Sequence, residues 1–429
     1  MQAGERKNML HMASVVPEAD NRNLQQFLTH SKWSAREVMD AVAQRASKQI
    51  GDKTGACLLI DESGFAKQGK KSVGVARQWL GRFGKVDNGQ VAVYATLCNG
   101  KRTALVDARL YMPKEWIDDP QRCREAGVPE EEIVFRTKDQ LALEIIKHAR
   151  EKGIKFGWVG ADAGYGKSPE VFYPLQEMGE KFFIDIPSDF SVYLSDPEPK
   201  LPQFKGTGRK PKAYKTGEKS HKACSLEALK KEDAWKTLCV RSTTRGALKL
   251  RAWKQTVYVW DDKRDRALKL TLLASENPDG SERKYTITNA SETEPIQQQV
   301  FEQRQRFWVE RSFEDAKGQC GMADYQARKW AGWHHHMALV MMAMLFMLEE
   351  RIAQSNDYPL LSCADIEKLL ALFLPRRDLE TEEVIRQMEA SHRRRKKAME
   401  SHARMAKKRE KDERFRLTKS NYFTTKTQT

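Results

Sequence analysis

The chain has 429 residues, 40% of them apolar, with 75 Lys and Arg against 59 Asp and Glu and a formal charge of +16. That length and apolar content allow two or three domains with a sizeable core and exclude a chain that is disordered over most of its length. So positive a balance points to a polyanionic partner, with nucleic acid first. The seven cysteines are dispersed, with no C-x-x-C pair. This excludes a zinc ribbon or disulfide framework and fits a reducing cytosol. The N-terminal MQAGERKNMLHMAS is charged and lacks the apolar core of a signal peptide. HMALVMMAMLFML (336–348) is too short to span a bilayer and ends in Glu349-Glu350-Arg351.

Residues 1–50 read as helical, with Leu24, Phe27, Leu28, Trp33, Val38, Met39 and Val42 at helix-like intervals and Ser34/Glu37 as a capping box. The period then changes. ACLLID, QVAVYATLCNG and RTALVDARLYM read as strands, with Asn99-Gly100 as the hairpin turn between the last two. KDQLALEIIKHAREKG (138–153) is an amphipathic helix, FGWVGADAGYG a buried strand with a glycine-rich exit, and KFFIDIP a further strand. Such an order gives a mixed sheet with helices, an α/β fold. The Pro-, Gly- and Lys-rich 197–219 is an exposed loop, and LCVRSTT, LKLRAWKQTVYVW, ALKLTLLAS and KYTITN form a β-rich stretch. Residues 296–320 and 330–351 return to helix, and RRRKKAMESHARMAKKREKDERFR is a basic helix or a disordered tail.

Asp61 ends the first strand and Asp162 the fourth. Strand ends in an open sheet are where sites form, and neighbouring strands would bring these carboxylates together. Two bare carboxylates that close repel, so each needs a metal or a proton. A turn residue at each strand end is the competing reading, and Asp185, at another strand end, is a fallback ligand. The helix QQQVFEQRQRFWVERSFEDAKGQCG spaces Arg306, Glu310 and Lys317 as R-x3-E-x6-K. One face then offers a metal ligand and two phosphate-binding cations, or else an ordinary solvated ladder of ion pairs. Glu314 competes with Glu310 as the third carboxylate.

The order LLIDESG, GADAGYG, β-rich insertion and R-x3-E-x6-K resembles the DDE transposases with a ribonuclease-H-like core. It most resembles the bacterial insertion-sequence family 701, within the IS4-like group. The phrases IDESGFAKQGKKSVGVARQW, GKVDNGQVAVY, WVGADAGYG and VERSFEDAKGQCG carry the resemblance over roughly residues 20 to 350. It implies a ribonuclease-H-like mixed sheet with a β-rich insertion, a helical N-terminal region and a helical, basic C-terminal region. The expected division is 1–50 helical and DNA-binding, 51–187 catalytic core, 188–295 insertion, 296–351 remainder of the core and 352–429 basic and helical. It implies Asp61, Asp162 and Glu310 as catalytic residues that hold two Mg²⁺ or Mn²⁺ ions, with Arg306 and Lys317 on DNA. Lys70, Lys71 and Arg77 then read as DNA-backbone contacts. The signature's tyrosine position holds Gln303.

The implied activity is cleavage of double-stranded DNA at terminal inverted repeats and joining of the 3′-hydroxyl to target DNA. A homodimer on DNA, in the bacterial cytoplasm at the nucleoid, goes with it. The alternatives are a catalytically silent DNA-binding remnant and a stand-alone metal-dependent endonuclease. His334-His335-His336 look like a metal cluster, but consecutive helical positions point about 100° apart. Trp235, Trp253 and Trp260 read as core, with one of them as a candidate for stacking on a base.

Overall fold

Three helices open the chain: α1 (Met9–Val15), α2 (Asn21–Thr29) and α3 (Ala35–Ala46). The caps of α2 and α3 are chemically explicit. Asp20 accepts the backbone N–H groups of Arg22 and Asn23, both at 2.9 Å, and Ser34 accepts that of Glu37 at 3.2 Å. The computed structural model describes residues 7–424 apart from 53–54, 205, 207, 209, 230–233, 244–245 and 378–380.

Four strands come next: β1 (Cys57–Ala66), β2 (Ala76–Leu80), β3 (Lys85–Asn99) and β4 (Arg102–Leu110). Short helices α4 (Lys114–Ile117) and α5 (Pro120–Glu125) lead to α6 (Lys138–Glu151), which opens on a Thr137/Gln140 capping box. Then come β5 (Trp158–Ala161), α7 (Phe172–Glu177), β6 (Phe182–Ile186) and the two-residue strands β7 (Ser191–Val192) and β8 (His221–Lys222). The β-rich stretch supplies β9 (Lys236–Thr243), β10 (Gly246–Val259), β11 (Leu268–Glu276) and β12 (Lys284–Thr288). Helices α8 (Ile296–Arg304), α9 (Phe307–Gly318), α10 (Trp330–Ala353), α11 (Cys363–Phe373) and α12 (Thr381–Thr424) complete the order.

Ten strands make one mixed sheet in the order β2-β3-β1-β5-β6-β12-β11-β10-β9, with β4 also on β3. Among the described residues, only β1–β5 and β5–β6 pair in parallel. All four residues of β5 are buried, as expected of a strand between parallel neighbours. The strands of the β-rich stretch therefore continue the sheet through the antiparallel pair β6–β12. Helices α3 and α10 pack on each other and on β4, and α8 lies on β9, β10, β11 and β6.

Three expectations change. Asp61 does not end its strand: β1 runs on to Ala66, because β3 pairs with it over the whole length. Only the parallel pairing with β5 stops there. The stretch 296–320 is two helices, not one. Buried Gln303 is tied to strand residues Ser275 and Thr286, and Arg304 to Ser275. The chain turns at Gln305–Arg306 through i→i+3 bonds such as Trp308 N–H to Gln305 O, 2.9 Å. Lastly, β2 lies in a stretch where no strand is expected. The chain divides into two units, the smaller comprising residues 15–18 and the segment from Pro375. Within that unit α12 is a continuous helix, so the basic segment is a helix rather than a disordered tail.

Candidate active site

The last register pair of the parallel β1–β5 ladder is Ile60 with Ala161. The next residues are Asp61 and Asp162, so the topology sets these two carboxylates side by side. Asp61 accepts the Glu62 N–H at 2.7 Å, and Asp162 accepts that of Gly164 at 2.9 Å. The glycine-rich exit of β5 has a steric reason. A Cβ on Gly166 would overlap the carbonyl oxygen of Asp185, so only glycine lets this loop lie against β6.

Asp185 enters from β6, where Thr286 Oγ1 donates to its Oδ1 at 2.5 Å. Thr286 in turn accepts from Gln303 Nε2 at 2.6 Å, and Ser275 Oγ donates to Gln303 Oε1 at 2.7 Å. Gln303, at the signature's tyrosine position, is thus a buried tie between β11, β12 and the end of α8.

Arg306 stands at the N-cap of α9 and is shared by three carboxylates. Its Nη2 donates to Glu310 Oε1 at 3.0 Å, its Nη1 lies 3.6 Å from Asp61 Oδ2, and its Nε lies 3.3 Å from Asp185 Oδ2. The Nε makes no directed hydrogen bond. Burial works against the charged guanidinium, but Asp185, Asp61 and Glu310 outweigh it and hold its pKa above the ordinary value. Asp61 moves the other way. Burial first, and then the charge of Asp162, push its carboxyl up to about 7, against the pull of Arg306. Burial likewise raises Asp185, opposed by Arg306 and Thr286.

Asp61, Asp162, Arg306, Glu310 and Lys317 all line one cleft of about 970 Å³. Glu314 lines it too, but pairs with Arg311 at 3.3 Å and is largely exposed. Lys70, Lys71 and Arg77 are exposed outside its lining, Lys70 and Lys71 in the loop after β1 and Arg77 on β2. Among the described residues, no three His, Cys, Asp or Glu side chains are gathered into a ready-made metal cage. The donor set nonetheless suits a hard divalent cation. One guanidinium shared among three carboxylates leaves the adjacent acids short of positive charge, with Asp61 pushed towards protonation, and a divalent cation would supply it.

The histidine run does not converge. His334 Nδ1 faces Trp330 O at 3.0 Å, His335 lies against Leu28 O and Trp33 O, and the His336 ring packs on Tyr325 at 5.0 Å. The three tryptophans of the β-rich stretch are packed. Trp253 is buried, Trp235 meets it edge-on at 6.1 Å, and Trp260 Nε1 donates to Arg264 O at 2.9 Å. The tryptophan that does line the cleft is Trp79. No hydropathy alternation in ARQWL marks it: Ala76 and Leu80 bury, while Arg77 and the apolar Trp79 share the exposed face.

Comparison with known proteins fits this arrangement. The family model of the DDE superfamily endonucleases matches residues 1–257, a span that includes Asp61 and Asp162 and ends before Glu310. A probable transposase for insertion sequence element IS701 from Microchaete diplosiphon is 31% identical over 193 residues. That alignment covers 44% of this chain and 47% of the relative, about half of its length. Among the described residues, no helix is long and apolar enough to cross a membrane. With more than half of its length matched by the family, this chain belongs to the DDE superfamily endonucleases.

Proposed function

We propose that the protein is a DNA transposase. It cuts phosphodiester bonds at the ends of a mobile element and joins the freed 3′-hydroxyl to target DNA. The observation that carries this is the pair Asp61/Asp162, side by side across β1 and β5, with Arg306 and Glu310 closing the same cleft. Asp61, Asp162 and Glu310 are the residues that would hold two Mg²⁺ or Mn²⁺ ions. Bound there, such ions would activate the attacking oxygen and steady the leaving one. Arg306 balances the carboxylates in the free protein and turns to a DNA phosphate when the site is loaded. Asp185, fixed by Thr286, keeps the guanidinium within reach of both partners. Lys317 holds the backbone on the cleft wall, and Lys70, Lys71 and Arg77 hold it outside.

The order β4-β3-β1-β5-β6, three antiparallel strands and then two parallel ones, supports a ribonuclease-H-like core. On this reading 51–187 and 296–351 form the core, 188–295 extends its sheet, and 1–50 and 352–429 contact DNA. The protein works as a homodimer on paired element ends, in the cytoplasm at the nucleoid. The test uses purified protein, Mg²⁺ and a plasmid carrying the DNA that flanks its gene. Cleaved ends and joined products are expected. Cleavage with no joining would make the protein an endonuclease, and binding without either would make it a silent remnant.

A further inference from the structure

Asp185 does not line the cleft, although Arg306 beside it does. The strand register explains what it faces instead. Asp185 on β6 is paired directly with Thr286 on β12, and Thr286 is paired with Leu273, two residues before Ser275 on β11. Alternation then puts Ser275, Thr286 and Asp185 on one face of three neighbouring strands. The side-chain amide of Gln303 spans Ser275 and Thr286, and the groups join in one line. Arg304 Nη2 donates to Ser275 Oγ at 2.9 Å, Ser275 Oγ to Gln303 Oε1 at 2.7 Å, Gln303 Nε2 to Thr286 Oγ1 at 2.6 Å and Thr286 Oγ1 to Asp185 Oδ1 at 2.5 Å. The two ends fix the direction. A guanidinium only donates and a carboxylate only accepts, so each hydroxyl between them has its proton committed towards Asp185. Ser275, Thr286 and Gln303 are buried, so breaking any link strands a polar group away from water. Asp185 is thereby anchored through Oδ1, and its Oδ2 is left to Arg306.

That anchoring matters because Arg306 has a choice of acids. Its Nη1 stops 3.6 Å from Asp61 Oδ2, beyond hydrogen-bonding distance, while its Nε lies 3.3 Å from Asp185 Oδ2. A guanidinium gains most from a carboxylate when two parallel N–H groups meet both oxygens. Closing on Asp61 in that way would occupy the oxygens a divalent cation needs and set a fixed positive charge beside them. The pull of Asp185 from the Nε side opposes that closure. We propose that Asp185 is a positioning residue: held by the line through Ser275, Gln303 and Thr286, it draws Arg306 back from Asp61 and keeps the metal-binding carboxylates open to a divalent cation. This rests on the reading of Asp61, Asp162 and Glu310 as the residues that hold the ion, and it gives Asp185 a part other than that of a ligand. It also gives glutamine a reason to stand at the signature's tyrosine position. An amide accepts through one atom and donates through another, so it carries the line across from Ser275 to Thr286.

The test measures Mn²⁺ binding to the full chain without DNA, from the electron paramagnetic resonance signal of the unbound ion. The binding counted is the part abolished by Asp61→Ala. Asp185→Asn keeps the shape and removes the charge, and it should weaken that binding about tenfold, as loss of a group behind the metal ligands does. Thr286→Val should weaken it severalfold, and Thr286→Ser, which keeps the hydroxyl, should leave it near wild type. The deciding measurement is made without the arginine. In Arg306→Ala, adding Asp185→Asn should change nothing, because no guanidinium is left to restrain. An equal loss with and without Arg306 would make Asp185 a ligand or a support of the fold and overturn the proposal, as would wild-type affinity in Asp185→Asn. If Asp185→Asn does not fold, the contrast between Thr286→Val and Thr286→Ser, each with and without Arg306, decides in its place. A wild-type protein with no Mn²⁺ binding that depends on Asp61 overturns the cation reading and the proposal together.

Discussion

The cleft and the β9–β12 end of the sheet use the same kinds of residue to opposite ends. In the β-rich end, Glu276 is 2% exposed and takes Arg283 Nε at 2.8 Å, with Arg251 Nη1 at 3.4 Å. Its tryptophans are packed against one another or bonded to backbone. In the cleft one guanidinium serves three carboxylates, and the tryptophan stands half in solvent. Charge is balanced and aromatic surface covered in the first region, while both are left open in the second. Residue type alone does not separate the two. What separates them is whether each group's physical needs are met inside the chain.

That contrast is most sharply tested at the carboxylates. Asp61→Ala and Asp162→Ala should abolish Mg²⁺-dependent DNA cleavage in a gel assay. Glu310→Gln should lower it at least about a hundredfold, the scale of metal-assisted charge stabilisation. Glu314→Gln, whose carboxylate already has Arg311, should cost a few-fold at most. If cleavage survives in Glu310→Gln and collapses in Glu314→Gln, the third ligand is Glu314 instead. In the balanced region the loss should appear in stability. Glu276→Ala removes a buried carboxylate that holds Arg251 and Arg283 and should cost about 1–3 kcal/mol in urea unfolding. Cleavage per folded molecule should stay near wild type.

The histidine run extends the test to pH. Burial lowers His336 from its ordinary value to about 4, while the unfolded chain titrates near 6.5. The unfolded state therefore binds more protons between these values, and stability falls as pH drops from about 6.5 to about 4, by at most about 3 kcal/mol. His336→Phe keeps a ring against Tyr325 and should flatten that slope in acid denaturation. A slope unaltered by the change would point to other groups. The smallest effect concerns α12, where residues 393–416 carry twelve Lys and Arg against four acids. Ending the chain at residue 392 should flatten log affinity for DNA against log salt by about 0.9 for each phosphate no longer neutralised. An identical slope would assign the segment to binding other protein surfaces.

Much of this was legible in the sequence because it depends on local pattern. The strand-like runs of β10 and β11, the buried run of β5, the Ser34 cap of α3 and the amphipathic face of α6 are each written within some dozen residues. Asp61 and Asp162 stood out as strand-end acids, a placement that holds for Asp162, just past β5, and not for Asp61, which lies inside β1. What stayed hidden depends on partners far along the chain. Nothing near Asp61 says that β3 carries β1 five residues further, and nothing near Arg306 says that Gln303 is tied to Ser275 and Thr286 and so breaks the helix. Trp79 was not legible because a five-residue strand between glycines has too short a pattern to read, and its exposure is set by Leu80 fitting against Gly64 and Gly89.

The turn between α8 and α9 also sets how the chain tolerates changes of length. Arg306 and Glu310 meet because one helical turn separates them, and each added residue rotates the downstream part of the helix by about 100°. A residue inserted between Phe307 and Val309 would swing Glu310 away from Asp61, and no nearby loop could take up the shift. An extra residue at Gln305 falls where the helix is already interrupted and leaves the spacing within α9 intact. Libraries of single-residue insertions should therefore show a sharp boundary at this point, permissive on one side of Arg306 and inactivating on the other.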